Sequence, residues 1–598
     1  MRRIGRIFLY LFASFGVLMT LFFVCAIVFA ITYDRVEPDL PERVVLRLNL
    51  DHGVSDGRYD DPWRRLRGDE AVKLHDVVST LATAETDERV VGMAIRLGAS
   101  RISLAHAQEL RESITAFRSR GKFVLAFAQT FGSLGNAPME YYLASSADEV
   151  WVQPSGKLSF LGIGFDTPYL KDALDKAGVK AEFEQRHEYK SAIELLTHDG
   201  MSAPARASLM QVVGSWLDKI VFDIAGDRKI TPETIRQLVD RSPLLATEAQ
   251  DAKLIDRLGY LDSFNEAVKQ RAGENTLEVT FVRYATQIDN SAEEGTDVAL
   301  IYGSGPMQPG EAGNSPWDPE VFAAGSVARA IDAAAANEAT AAILLRIDSP
   351  GGSYIGSDTV RQAVVKAKKK GKLVIASMGQ YGASGGYFVA MAADKIVAQP
   401  GTMTGSIGVF GGKLATRDLW TKFGVSWNRV SAGAHAGMWS QVFPFSPTAA
   451  ARHRAVIDFV YDDFTRKVAE DRKLSEGQVD NVARGRVWSG SDAQRVGLVD
   501  ALGGYAAAAE LVREALSLEA NEPLNFIILP KPLSPLERLT NVLSEGIPFT
   551  QALTALALGS QTELLNGVLR HIKPVIGDIS VLFPPAGVLQ LPLMRPAP

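Results

Sequence analysis

From Ile7 to Thr32 the chain is apolar almost without a break, and the roughly 26 residues of this run are enough to span a bilayer as a helix. Beyond it the pattern changes to short runs of aliphatic and β-branched residues set between polar stretches of helical composition. VVGMAIRL (90–97), AILLRI (342–347) and LVIAS (373–377) have the length of buried strands. Between the last two, residues 358–369 read as a helix that ends at Gly371. Alternating strands and helices predict largely parallel sheets with crossover helices, an α/β fold.

The pattern occurs twice. VVGMAIRL followed by GKFVLAFAQ (121–129) returns as TAAILLRI (340–347) followed by GKLVIASMG (371–379), and Arg96 and Arg346 lie 250 positions apart. YYLASSADEVWVQP (141–154) returns as YFVAMAADKIVAQP (387–400) 246 positions on, so the first copy carries four extra residues in the loop at 132–139. DRKIT (227–231) with EAQDAKLIDRLGYL (248–261) answers to DRKLS (471–475) with DAQRVGLVDALGGY (492–505). Three blocks in one order predict a tandem duplication. The division read from this is a cytoplasmic stub and anchor at 1–33, a first repeat at 43–270, a connector at 271–296, a second repeat at 297–517 and an extension at 518–598. Leu582, Phe583, Leu589 and Leu591 make the extension apolar enough to pack on the body or to line an entry to it.

A chain of 598 residues is too long for one core, and 46% apolar with 22% charged residues is globular composition. Arg2, Arg3 and Arg6 precede the apolar run while Asp34, Glu37 and Asp39 follow it, which predicts a cytoplasmic N-terminus and an exported body. The run is longer than the apolar part of a cleaved signal peptide. Cys25, the single cysteine, lies inside it, so neither an intramolecular disulfide nor a cysteine-based metal site can form. A formal net charge of -6 argues against a nucleic-acid partner.

The second copy holds DSPGGS (348–353) directly after a strand and GASGGY (382–387) between a strand and a helix. Paired glycines let backbone N–H groups approach a ligand, as an oxyanion hole requires, and Ser384 stands at a helix N-terminus that favours negative charge on its oxygen. Either motif alone reads as a glycine-rich turn. The first copy has lost both: Gly351 and Gly352 fall on Arg101 and Ile102, and Ser384 falls on Pro138, which has no hydroxyl. Conversely Lys190, in HEYKSAIE (187–194), falls on Ala436, so each copy keeps one half of a possible dyad. A lone lysine reads as a solvated surface group. Paired with a serine and buried, its amine can serve as general base without histidine. None of the eight histidines lies in DSPGGS or GASGGY, and the nearest to them is His435, in the second copy's loop GAHAG.

SPGGS, ASGGY followed by TGSIG (404–408), and YKSA resemble the double-length signal peptide peptidase A (protease IV) family of membrane-anchored Ser/Lys proteases, from the anchor to about residue 517. The resemblance implies a Clp protease/crotonase-like fold in each repeat and a dyad assembled between the halves. It implies Ser384 as nucleophile, Lys190 as general base, Ser406 as the residue positioning the amine, and the backbones of Gly352 and Gly385 as oxyanion donors. Neither cofactor nor metal is called for. The substrates implied are signal peptides left in the membrane and other membrane-proximal peptides, with membrane lipid around the anchor. A homo-oligomer, a tetramer, in the cytoplasmic (inner) membrane with its catalytic body on the periplasmic side completes the expectation. The chain departs from the family in the HEYK loop and after residue 517. Three other readings stand beside it: an α/β-hydrolase built on G-x-S-x-G at 382–386 with His453 or His571, a crotonase-like acyl-CoA enzyme, and a catalytically inactive membrane scaffold.

Overall fold

The computed structural model describes residues 40–56, 71–98, 102–132, 135–289, 295–312, 321–520 and 522–530, the backbone of 588–590, and the isolated Gly16 and Met19. The expected anchor, 7–32, therefore lies outside the described residues apart from those two positions. Among the described residues no helix is long and apolar enough to cross a membrane. The chain divides into a unit at Met1–Glu42 and a second unit, Arg43–Pro598, which holds both repeats.

Each repeat builds a sheet around six parallel strands, and these two sets have one strand order; the second sheet adds Met403–Gly405, parallel on Leu373–Ala383, and Val487–Ser489, antiparallel on Met403–Gly405. In the first the order is Arg257–Leu258, Glu149–Val152, Phe123–Ala128, Val90–Leu97, Val44–Asn49, Leu277–Thr280, with every pair parallel. In the second, Ala501–Leu502, Lys395–Ala398, Leu373–Ala383, Ala342–Ser349, Thr296–Ser304 and Leu524–Leu529 follow the same order, again parallel. Central strands such as Phe123–Ala128 (FVLAFA) are buried along their whole length, which is why they read as continuous apolar runs. Two 26-residue helices, Ala203–Arg228 and Pro447–Arg472, repeat even in their ends, with a capping serine before each and a left-handed lysine, Lys229 or Lys473, after it.

Leu277–Thr280 falls in the stretch read as a connector, and Leu524–Leu529 in the stretch read as an extension. They are the matching edge strands of the two sheets, so in structure the duplication reaches past residue 517. Strands of four and six residues with half-exposed faces leave too little periodicity for self-comparison to find.

A third, mixed sheet joins the repeats. Its order is Phe322–Ala323, Met307–Gln308, Gly351–Ser353, Val588–Gln590, Val409–Ala415, Lys180–Arg186. The last strand comes from the first repeat and lies antiparallel on Val409–Ala415 of the second, with Arg186 opposite Val409 and Lys180 opposite Ala415. Val179, Ile193 and Leu196 close this junction over Phe410 and Leu414.

Candidate active site

Strand register brings the second repeat's motifs together. Leu373–Ala383 is paired at its end with Met403–Gly405, with Ala383 opposite Gly405, so the next residue on each strand, Ser384 and Ser406, stand side by side. The Ser384 N–H donates to the Gly405 carbonyl at 2.8 Å. Ser384 then opens the helix Gly385–Ala390 at φ 56°, and Ser406 also has positive φ, 50°. A non-glycine residue in that region is strained, and such strain collects where a side chain must be aimed. On the other flank Ser349 is opposite Gly382, and three residues farther along each chain lie Gly352 and Gly385. A Cβ at Gly385 would stand 3.1 Å from the Gly352 nitrogen and 2.6 Å from Ser357 Oγ. A side chain at residue 385 would crowd the Gly352 amide.

Lys190 arrives from the first repeat. Its strand, Lys180–Arg186, ends beside Val409, and the chain turns back toward Ser406, with the Lys190 N–H donating to the His187 carbonyl at 3.1 Å. Lys190 Nζ donates to Ser384 Oγ at 2.7 Å, to the Ser406 carbonyl at 2.7 Å and to Ser406 Oγ at 2.9 Å. Lys190, Ser384 and Ser406 are all fully buried. Burial holds the Lys190 amine well below the usual lysine range, and no carboxylate acts to restore it. The arrangement is a nucleophile with a neutral amine in hydrogen-bond reach, able to take its proton.

All five residues expected from the sequence thus meet in one place. Histidine does not: His453 Nε2 lies 3.0 Å from the Gly411 carbonyl and its ring packs against Trp439 and Phe445, while His435 is exposed. His571 lies outside the described residues. Of the tail's apolar residues, the described segment Val588–Gln590 contains Leu589, whose backbone lies antiparallel to Gly351–Ser353 and opposite Gly352.

The loop at 484–486 belongs to the site and has no place in the expectations drawn from sequence. Tyr189 N–H donates to the Arg484 carbonyl at 3.2 Å, Gly485 N–H to the Ile407 carbonyl at 2.8 Å, and Ser406 N–H to the Arg486 carbonyl at 2.7 Å. The Arg486 guanidinium lies 4.2 Å over the Tyr189 ring, and Arg484 pairs with Glu188. One loop of the serine repeat therefore grips both the lysine turn and the strand end beneath it. Gly485 permits this, since a Cβ there would sit 2.4 Å from the Lys190 nitrogen. The signal was in the duplication: 244 positions before Gly485, in the frame of DRKIT and DRKLS, the first repeat has Arg241.

A second polar cluster, deeper between the repeats, gathers Asp56, His106 and Asp348, whose ligand-capable atoms lie within 4.8 Å of one another. Arg346 donates to both oxygens of Asp56, at 3.1 and 2.8 Å, and to Glu109 at 3.0 Å. That guanidinium already neutralises the carboxylates and would repel a metal ion, so the cluster reads as a junction between the repeats.

Peptidase family S49 matches residues 116–275 and 366–519, one segment in each repeat. Protease 4 of Salmonella typhi is 31% identical over 461 residues, covering 74% of this chain and 72% of that protein. Protease 4 of Haemophilus influenzae is 31% identical over 486 residues, 77% of either chain. The chloroplastic serine protease SPPA of Arabidopsis thaliana is 26% identical over 530 residues, 87% of this chain and 75% of its own.

Proposed function

This chain belongs to peptidase family S49 and is a serine peptidase of the signal peptide peptidase A type, and we propose that it cuts peptide bonds with Ser384 as nucleophile and Lys190 as general base. The observation that carries the assignment is the 2.7 Å contact between Lys190 Nζ and Ser384 Oγ, both buried away from any compensating carboxylate. Neutral Lys190 takes the hydroxyl proton as Ser384 Oγ attacks the peptide carbonyl. The N–H groups of Gly352 and Gly385 receive the oxyanion. Lys190 returns the proton to the leaving amine, then draws one from the water that resolves the ester, while Ser406 holds the amine on line.

The substrates in this reading are signal peptides and other membrane-proximal peptides, bound in extended form. The backbone of Val588–Gln590, lying antiparallel to Gly351–Ser353, supports that geometry for a peptide. The reading also takes each repeat as Clp protease/crotonase-like, with 43–270 supplying the lysine and 297–517 the serine. Residues 1–33 form its membrane anchor, with the body on the exported side of the cytoplasmic membrane, surrounded there by lipid. The working form is a homo-oligomer, four copies by family likeness.

The test uses detergent-purified full-length chain and a signal-peptide substrate. Ser384→Ala and Lys190→Ala should each lower kcat by about 10²–10⁴-fold with folding unchanged, and a serine-acylating probe should label the native chain but not Ser384→Ala. Near-normal turnover by Lys190→Ala would sink the assignment.

A further inference from the structure

The strands that carry the two glycine motifs lose step just before they reach the site. Ala342–Ser349 and Leu373–Ala383 pair residue for residue as far as Ile347 opposite Met378, but the next pair is Ser349 opposite Gly382. One residue, Asp348, thus faces three, Gly379, Gln380 and Tyr381. The shift matters to the chemistry. In unbroken register Gly352 would come level with Ala383, two residues or about 6.6 Å short of Gly385.

A bulge leaves backbone groups without ladder partners. The Asp348 carbonyl is already taken on the other side of its strand, where it accepts the Gly305 N–H at 2.9 Å. Its side chain fills the gap instead: Oδ1 accepts the Tyr381 N–H at 2.8 Å. That side chain is confined. Asp56 and His106 of the first repeat lie beside it, with the ligand-capable atoms of the three residues within 4.8 Å of one another. His106 Nε2 is 2.9 Å from Asp56 Oδ2. A Cβ on Gly379 would stand 2.5 Å from Asp56 Oδ2 and 3.2 Å from Asp348 Cβ, so a larger residue there would push into both acids. Burial, with the Asp56 charge adding to it, raises the Asp348 carboxyl above its usual range, in the direction of its neutral form. A neutral carboxyl still offers its carbonyl oxygen to the Tyr381 N–H.

The first repeat lacks the device. Its equivalent strands pair from Gly92 opposite Phe123 to Leu97 opposite Ala128, and the pairing ends there. Gly98 stands 250 positions before Asp348, and Phe131, 250 before Tyr381, donates its N–H to the Lys157 carbonyl at 2.9 Å. The repeat without a nucleophile therefore satisfies the same amide from backbone alone. The carboxyl comes with the catalytic motifs.

We propose that Asp348 is a positioning residue for the peptidase reaction: its carboxyl oxygen, by taking the Tyr381 N–H, holds the bulge that sets the Gly352 amide level with the Gly385 amide. The proposal rests on the Ser384 and Lys190 reading above and adds to it the group that keeps the oxyanion hole in shape. Asp348 acts through the two amides and not on the substrate. Without the acceptor the Tyr381 N–H loses its partner, and the strand ends are free to shift toward the unbroken register. The loss falls on the transition state, where the oxyanion forms, more than on the bound substrate.

The test uses the full-length chain in detergent with a signal-peptide substrate, a peptide aldehyde and the corresponding peptide alcohol. Ser384 Oγ adds to the aldehyde carbon, its proton passes to Lys190, and the former carbonyl oxygen becomes an oxyanion facing the two amides; the alcohol forms no adduct. Asp348→Ala is expected to lower kcat by about 10–10²-fold with KM little changed, to weaken the aldehyde by the same factor and to leave the affinity of the alcohol where it was. Asp348→Asn, which keeps a carbonyl oxygen for the Tyr381 N–H, should recover most of the lost kcat and aldehyde affinity. Gly379→Ala, which crowds the carboxyl from the neighbouring strand, should lose both in the same proportion, and it carries the test if Asp348→Ala does not fold. Unchanged kcat in Asp348→Ala, an equal loss of aldehyde and alcohol binding, or Asp348→Asn no better than Asp348→Ala would each overturn the proposal while leaving the dyad standing. A native chain that binds aldehyde and alcohol alike and escapes a serine-acylating probe would overturn both.

Discussion

Lys190 is held in the interior as an amine with three oxygen neighbours and no anion. Between its lowered pKa and the roughly 10.4 of an exposed lysine, the unfolded chain binds a proton that the folded chain does not. Folding is therefore favoured as pH rises through that window. Two outcomes follow at this scale. The rate on a signal peptide should climb with pH as Lys190 loses its proton. The melting temperature of the native chain, measured against Lys190→Met, should rise with pH and level off above about 10.4. A difference in melting temperature that ignores pH would mean that the lysine stays charged in the folded protein. Ser406→Ala removes one of the two Ser406 contacts to the amine and leaves the carbonyl contact at 2.7 Å. It should lower kcat by about ten-fold, the worth of one hydrogen bond, with KM little changed in steady-state kinetics.

At the scale of elements, the site depends on three segments keeping register: the end of Leu373–Ala383, the end of Met403–Gly405, and the turn after Lys180–Arg186. The first two are fixed by pairing within one sheet. The third is clamped by the loop at 484–486, where Gly485 sits at φ 87° against the Lys190 backbone. Gly485→Ala adds a Cβ in a strained conformation and against backbone, so the turn must move. A displacement of about 1 Å at the amine is enough for a 10²-fold loss of kcat. Arg484→Ala removes a half-exposed ion pair with Glu188 and should cost less than about 1 kcal/mol of stability. Kinetics and thermal melts on the two variants would separate the steric role of the loop from its charge.

The whole molecule is held together across the repeats by the antiparallel strand pair and by the buried Arg346 cluster. Burial alone would lower the Arg346 pKa, but Asp56 and Glu109 outweigh it and keep the guanidinium charged. For Asp56, burial opposes ionisation, and Arg346 with His106 overcomes it, so its carboxyl lies well below the usual range. Arg346→Ala would leave two buried carboxylates short of a cation, a loss of about 3 kcal/mol or more that a denaturant titration would read. Because Lys190 and Ser384 meet within one chain, mixed oligomers of Ser384→Ala and Lys190→Ala chains should stay inactive. Restored turnover in the mixture would mean that the lysine crosses between chains.

Self-comparison of the sequence determined the duplication, the α/β alternation and the complementary losses that single out Ser384 and Lys190, because each is a property of residue identity and spacing. The glycines of SPGGS and ASGGY were legible for the same reason: no other residue lets two amides stand so close. What only the tertiary structure decided depends on packing between segments far apart in the chain. Lys190 and Ser384 are 194 residues apart, and the lowered pKa of the amine belongs to its burial and not to lysine. The grip of the 484–486 loop on the lysine turn arises from a fold-level approach of two repeats that no local pattern encodes. The edge strands Leu277–Thr280 and Leu524–Leu529 are too short and too exposed to mark themselves in sequence, and they became visible only as partners of strands already in the sheets.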